Sequence, residues 1–146
     1  MEKLEFKISI AADKHKVWDT MLHPDTYKEW VAASWPDSFY KGRWAENENI
    51  SFISEDGSGT LAHIETFMPY KFILAKHIAL LNAGGVEDTE SELAKNWTGI
   101  SESYTFNGTG EGTELTINIE TRDEWKKMFM DGWPGALSKL KEICEK

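Results

Sequence analysis

The C-terminal segment constrains this chain most. Trp125, Met128, Phe129, Gly132, Trp133, Ala136, Leu137, Leu140, Ile143 and Cys144 recur at spacings of three and four. That spacing puts them on one face of an α-helix. Most of the chain before it reads as strand and turn. This is therefore the one helix long enough to cover the apolar face of a sheet. Gly132 and Pro134 fall inside the stripe, which predicts a bend or a restart there.

The chain opens on a different period. Leu4, Phe6, Ile8 and Ile10 alternate with Glu5, Lys7 and Ser9, as in a strand with one buried face. Asp13 is placed to cap a helix carrying Val17, Trp18, Met21 and Leu22. His23-Pro24 ends it and starts a second short helix bearing Tyr27, Trp30 and Val31. Strands are predicted over 38–44, 50–54, 60–67, 72–81, 99–106 and 113–121, joined mostly by hairpin-length turns. Residues 82–97 read as a polar connection. With 146 residues and no linker or repeat, a single domain is expected. The class is α+β: one strand, two short helices, six strands and one long helix.

Charge and cysteine content narrow the function. Lysine and arginine number 16 against 25 acids, a formal charge of -9. No basic cluster offers a footprint for a phosphate backbone, so nucleic acid is not an expected partner. No apolar run approaches the ~20 residues that cross a bilayer, and the first residues lack the apolar core of a signal peptide. A cytoplasmic location is expected. The one cysteine, Cys144, reads as a small buried hydrophobe. No histidines or cysteines have metal-ligand spacing, and no cofactor is called for. Gly108, Gly110 and Gly112 belong to a hairpin turn, not to a phosphate loop.

Several segments, in this order and spacing, carry a resemblance. They are Ile10-Ala11-Ala12 through Val17-Trp18 to Pro24, Tyr27 and Trp30; Trp44 before Ile50-Ser51-Phe52; and Pro69-Tyr70-Lys71-Phe72-Ile73 followed by His77. Val86-Glu87-Asp88-Thr89 past Trp97 to Glu102-Ser103-Tyr104-Thr105, then Gly112-Thr113-Glu114-Leu115 and Gly132-Trp133-Pro134, complete the set. Together they resemble the SRPBCC superfamily of START-like helix-grip proteins. Within it, they are most similar to bacterial proteins resembling the C-terminal domain of the activator of the heat-shock-protein-90 ATPase. Asn47 stands where a glycine often follows the tryptophan turn, and asparagine tolerates left-handed backbone. The resemblance implies a curved seven-stranded antiparallel sheet wrapped around the C-terminal helix, with a cavity between. Relatives include lipid and hormone binders, aromatase/cyclases and co-chaperone domains, so it implies no single activity.

Seven tryptophans, seven phenylalanines and four tyrosines can fill a core or line a pocket. Polar groups on the inner face would mark a pocket. Lys76 prefers solvent, which turns Ile73, Ala75, His77 and Ala79 inward. Ile100, Glu102, Tyr104 and Phe106 share the inner face of a later strand. Symmetric pairing across 82–97 sets His77 opposite Glu102 and Ala75 opposite Tyr104. A slip of two residues leaves the histidine and the acid diagonal. Parity does not decide whether His63 or Ile64 points inward. The expected lining is Trp30, Trp44, Phe52, His77, Trp97, Glu102, Tyr104, Trp125, Phe129 and Trp133. A buried carboxylate demands a partner, and histidine supplies a charge-assisted hydrogen bond. The group reads equally as a head-group anchor or as a structural network. Three functions stay open: binding a small hydrophobic or aromatic molecule, cyclase- or dehydratase-like proton transfer by His77 and Glu102, and a co-chaperone-like protein-interaction module.

Overall fold

A computed structural model describes residues 1–146. The alternating start forms β1 (Glu2–Ile10). Asp13 accepts hydrogen bonds from the backbone N–H groups of His15 (2.8 Å) and Lys16 (3.1 Å), capping α1 (Lys14–Leu22). His23 caps α2 (Pro24–Val31) through Nδ1, which accepts from Asp25 N–H, and Pro24 fills the first turn. Then come β2 (Phe39–Gly42), β3 (Asn49–Ile53), β4 (Gly59–Met68) and β5 (Phe72–Asn82). Asn47 takes φ 66°, the left-handed conformation that its side chain tolerates.

The connection after β5 is more ordered than its polar sequence predicts. It holds a short strand, β6 (Val86–Asp88), and a one-turn-plus helix, α3 (Glu92–Trp97). Asp88 accepts from the hydroxyl and amide of Ser91, and Ser91 Oγ caps α3 at Ala94 N–H. The chain ends with β7 (Ser101–Thr109), β8 (Gly112–Thr121) and α4 (Asp123–Cys144). No helix is long and apolar enough to cross a membrane.

Seven strands lie in the order β1-β8-β7-β5-β4-β3-β2, all antiparallel. The expected seven-stranded sheet gains an eighth member, because β6 takes the edge of β5 that β7 leaves uncovered. The curved sheet grips α4, whose buried face carries Phe129, Gly132, Trp133, Ala136, Leu137, Leu140 and Cys144. At 22 residues this helix spans ~33 Å. It does not restart at Gly132 or Pro134. The missing N–H of Pro134 releases the carbonyl of Met130, a residue on the exposed side.

Two irregularities explain what parity leaves open. Between β4 and β5 the register shifts at Leu61/Ala62 and again at Ile64/Thr66. The first skips Ile78, so Ala62 pairs with His77 and Leu61 with Ala79. Ala62, Ile64 and Leu80 join the main core, whereas Ala79 and Leu81 are buried outside it. The expectation that Ala79 shares the inner face of His77 fails at this bulge. The second shift skips Glu65, which lets both Ile64 and Phe67 reach the core. His63 stays on the far side, where Nδ1 meets Asn49 Oδ1 at 2.7 Å.

Candidate functional site

β5 and β7 bring the polar residues together. Their register sets Ala75 opposite Glu102 and Ile73 opposite Tyr104, two residues from symmetric pairing. The slip leaves His77 diagonal to Glu102, and the side chains meet with Nε2 2.7 Å from Oε2. Backbone bonds hold the histidine in place: its N–H donates to Ile100 O (2.8 Å), and Gly99 N–H donates to its carbonyl (2.9 Å). His77 is 3% exposed and Glu102 7%, so both side chains are largely withdrawn from water.

These two side chains face a cavity of about 410 Å³ between the sheet, α4 and the loop after α2. Phe52, His77, Trp97, Glu102, Tyr104, Phe129 and Trp133 line it. Trp97 tilts over the His77 ring at 4.6 Å and stacks on Phe129 at 5.9 Å. Trp133 packs 5.9 Å from Tyr104. Burial pushes the Tyr104 phenol well above its ordinary range, and the nearby Glu102 charge pushes it further. Tyr27 is raised for the same two reasons, partly offset by a hydrogen bond with Ser38. Both phenols therefore keep their protons.

Trp30, Trp44 and Trp125 do not reach the cavity and stand one layer behind its wall. Trp30 donates Nε1–H to Met21 O (3.1 Å) and stacks behind Trp133. Trp44 packs on Tyr40 and Phe52, and Trp125 meets Trp97 edge-on at 5.1 Å. An inward face does not distinguish a filled stretch from an open one. Sequence reasoning missed Val31, Trp35, Pro36 and Met128, and the hydroxyls of Ser34, Ser38, Ser54, Ser58 and Thr60. Met128 lay on the predicted stripe. Ser38 and Ser54 read as strand ends and Ser58 as part of a hairpin loop, and Trp35-Pro36 lies in a loop without periodicity.

No group of three or more histidine, cysteine, aspartate or glutamate side chains is arranged to hold a metal ion. The lining nevertheless carries unpartnered polar atoms. His77 Nδ1, Trp97 Nε1 and Trp133 Nε1 are buried without a hydrogen-bond partner in the protein. The structure thus combines a hollow with several aromatic walls and a buried acid–histidine pair.

No protein-family profile matches the chain, and a search of curated proteins finds no match. Solved structures do match. Protein MLL2253 from Mesorhizobium loti superposes with a TM-score of 0.74 at 15% identity, over 97% of this chain and 96% of that one. The Aha1 dimer from Colwellia psychrerythraea gives 0.72 at 19% identity, over 99% and 97%. DynU16, from the dynemicin biosynthetic locus, gives 0.72 at 16% identity; this chain is covered in full and spans 48% of DynU16. The helix-grip fold of the Aha1-like proteins is therefore the fold of this chain. At such identities the likeness extends to the fold alone.

Proposed function

We propose that this protein binds a small, largely apolar or aromatic molecule in the cavity between the sheet and α4, with Glu102, His77 and Tyr104 holding its polar end. One observation carries the reading: the cavity of about 410 Å³ has aromatic walls and the chain's buried acid–histidine pair on one side. Pockets for small molecules have this size and this mix of apolar wall with few polar groups. The buried, single Cys144 is in keeping with a reducing, cytoplasmic setting.

Native mass spectrometry of freshly purified protein tests the proposal, together with titration of an environment-sensitive apolar fluorophore. A retained small molecule, or saturable fluorophore binding lost in the cavity-filling variant Thr60→Phe, supports it. Absence of both counts against it. The 2.7 Å contact of His77 with Glu102 also supports a second reading, proton transfer on the bound molecule. That reading requires turnover to vanish in His77→Gln while binding persists.

A further inference from the structure

The charged groups around the cavity are unevenly distributed. Glu102 is its one acidic lining residue, and no lysine or arginine lines it; His77 is the only basic side chain there. A carboxylate offers about four lone-pair sites. The protein fills one of them, through His77 Nε2 on Oε2; Oε1 accepts no hydrogen bond from any protein group. With a single protein donor on it, the carboxylate leaves acceptor sites open to a ligand. Its charge is felt around the site, adding to burial in holding the Tyr27 and Tyr104 protons on.

The walls favour the same sign. Trp35, Trp97, Tyr104, Phe129 and Trp133 line the space, and aromatic faces carry negative quadrupole potential that attracts cations. The net charge of -9 draws cations and repels anions at long range. A fatty acid or other carboxylate would bring a second negative charge beside Glu102 with no arginine or lysine to receive it.

We propose that the ligand is an organic cation, an amine or substituted ammonium group on an aromatic or apolar body, with its positive charge against Glu102 and the aromatic lining. This rests on the ligand-binding reading and specifies the class of molecule.

The test uses three probes of one shape: 1-naphthylmethylamine (cation), 1-naphthylmethanol (neutral) and 1-naphthoate (anion), titrated into the full chain at neutral pH by calorimetry. The amine is expected to bind about ten-fold more tightly than the alcohol, with the acid weakest. Amine and alcohol both donate hydrogen bonds, so the gap between them reads charge. In Glu102→Gln, which keeps an oxygen for His77, the amine's advantage over the alcohol is expected to collapse. Comparable binding of all three probes by the wild type, or preference for the acid, overturns the cation proposal and leaves the ligand-binding reading intact. Failure of all three to bind overturns both. The wild-type comparison decides the matter even if the variant folds poorly.

Discussion

Replacing Gly132 with alanine sets two effects of opposite sign against each other. In a free helix the change is stabilising by ~1 kcal/mol, since glycine is a poor helix former. Here a Cβ would lie 2.3 Å from Trp35 Cζ2, and 2.9 and 3.0 Å from Cε2 and Cη2. Carbon contacts are favourable at ~3.5–4.0 Å, so the indole must retreat by more than ~1 Å. Its retreat is opposed. Trp133 meets the ring edge-on at 5.7 Å, and Ser34 Oγ–H donates to the Gly132 carbonyl, pinning the loop to α4. Overpacking of this kind costs ~1–3 kcal/mol. The net expectation is destabilisation of ~0–2 kcal/mol, and each kcal/mol lowers Tm by ~2–4 °C in a domain of about this size. Urea denaturation of Gly132→Ala, Trp35→Ala and the double variant reads the balance. In the Trp35→Ala background the sign should reverse, leaving a gain of ~1 kcal/mol. If Gly132→Ala stabilises the otherwise wild-type protein by the free-helix amount, the packing argument is refuted.

Three further outcomes are expected. Trp133→Ala removes a buried indole packed on Trp30, Trp35 and Tyr104 and should lower unfolding free energy by ~3–5 kcal/mol; an unshifted urea midpoint would contradict this. Arg122 Nη1 donates to the carbonyls of Asn96 and Thr98, both at 2.8 Å, so Arg122→Gln should speed amide exchange over 92–98, including the cavity wall at Trp97. Unchanged protection there rejects the tie. Backbone N–H groups of Lys16 and His15 hold the Asp13 carboxyl below its ordinary range, the Ser58 and Ser91 hydroxyls and amides do the same for Asp56 and Asp88, and Ala11 N–H and Lys141 do so for Glu145. Folded values below unfolded ones give stability that is fully present above the unfolded values of ~4 and lost as pH falls through the folded ones. The urea midpoint should be flat above pH ~5 and fall below pH ~4, and a midpoint unchanged down to pH ~2 would show that these bonds do not form.

The sequence makes the frame legible because two periods are strong: alternation in Leu4–Ile10 and the three–four stripe of α4. It hides β6 and α3. Three strand residues carry no usable period, and a six-residue helix is too short to show amphipathicity against its polar neighbours. The Ser91 cap is the one local signal for α3. Within the site, parity alone brings His77 and Glu102 together, since a slip of two residues keeps both inward. It fails for Ala79, because the bulge at Ile78 changes the count. It also cannot separate Trp97, which lines the cavity, from Trp125 packed behind it. Both are large, apolar and buried or half-buried, and only the three-dimensional packing determines which one borders empty space.

The place of β1 in the sheet governs when the fold can form. It is an edge strand whose one partner is β8, running from Glu2↔Thr121 to Ile10↔Thr113. A growing chain therefore makes its first strand long before the strand that accepts it. At ~5–20 residues per second that interval is ~5–20 s. Through it the Leu4–Phe6–Ile8–Ile10 face has neither ladder nor helix to cover it, while β3, β4 and β5 are already able to pair. Non-local closure of this kind is slow, and here it must wait for β8. The nascent chain accordingly passes through a stage in which the strand-forming apolar segment Leu4–Ile10 has been made and its β8 partner has not.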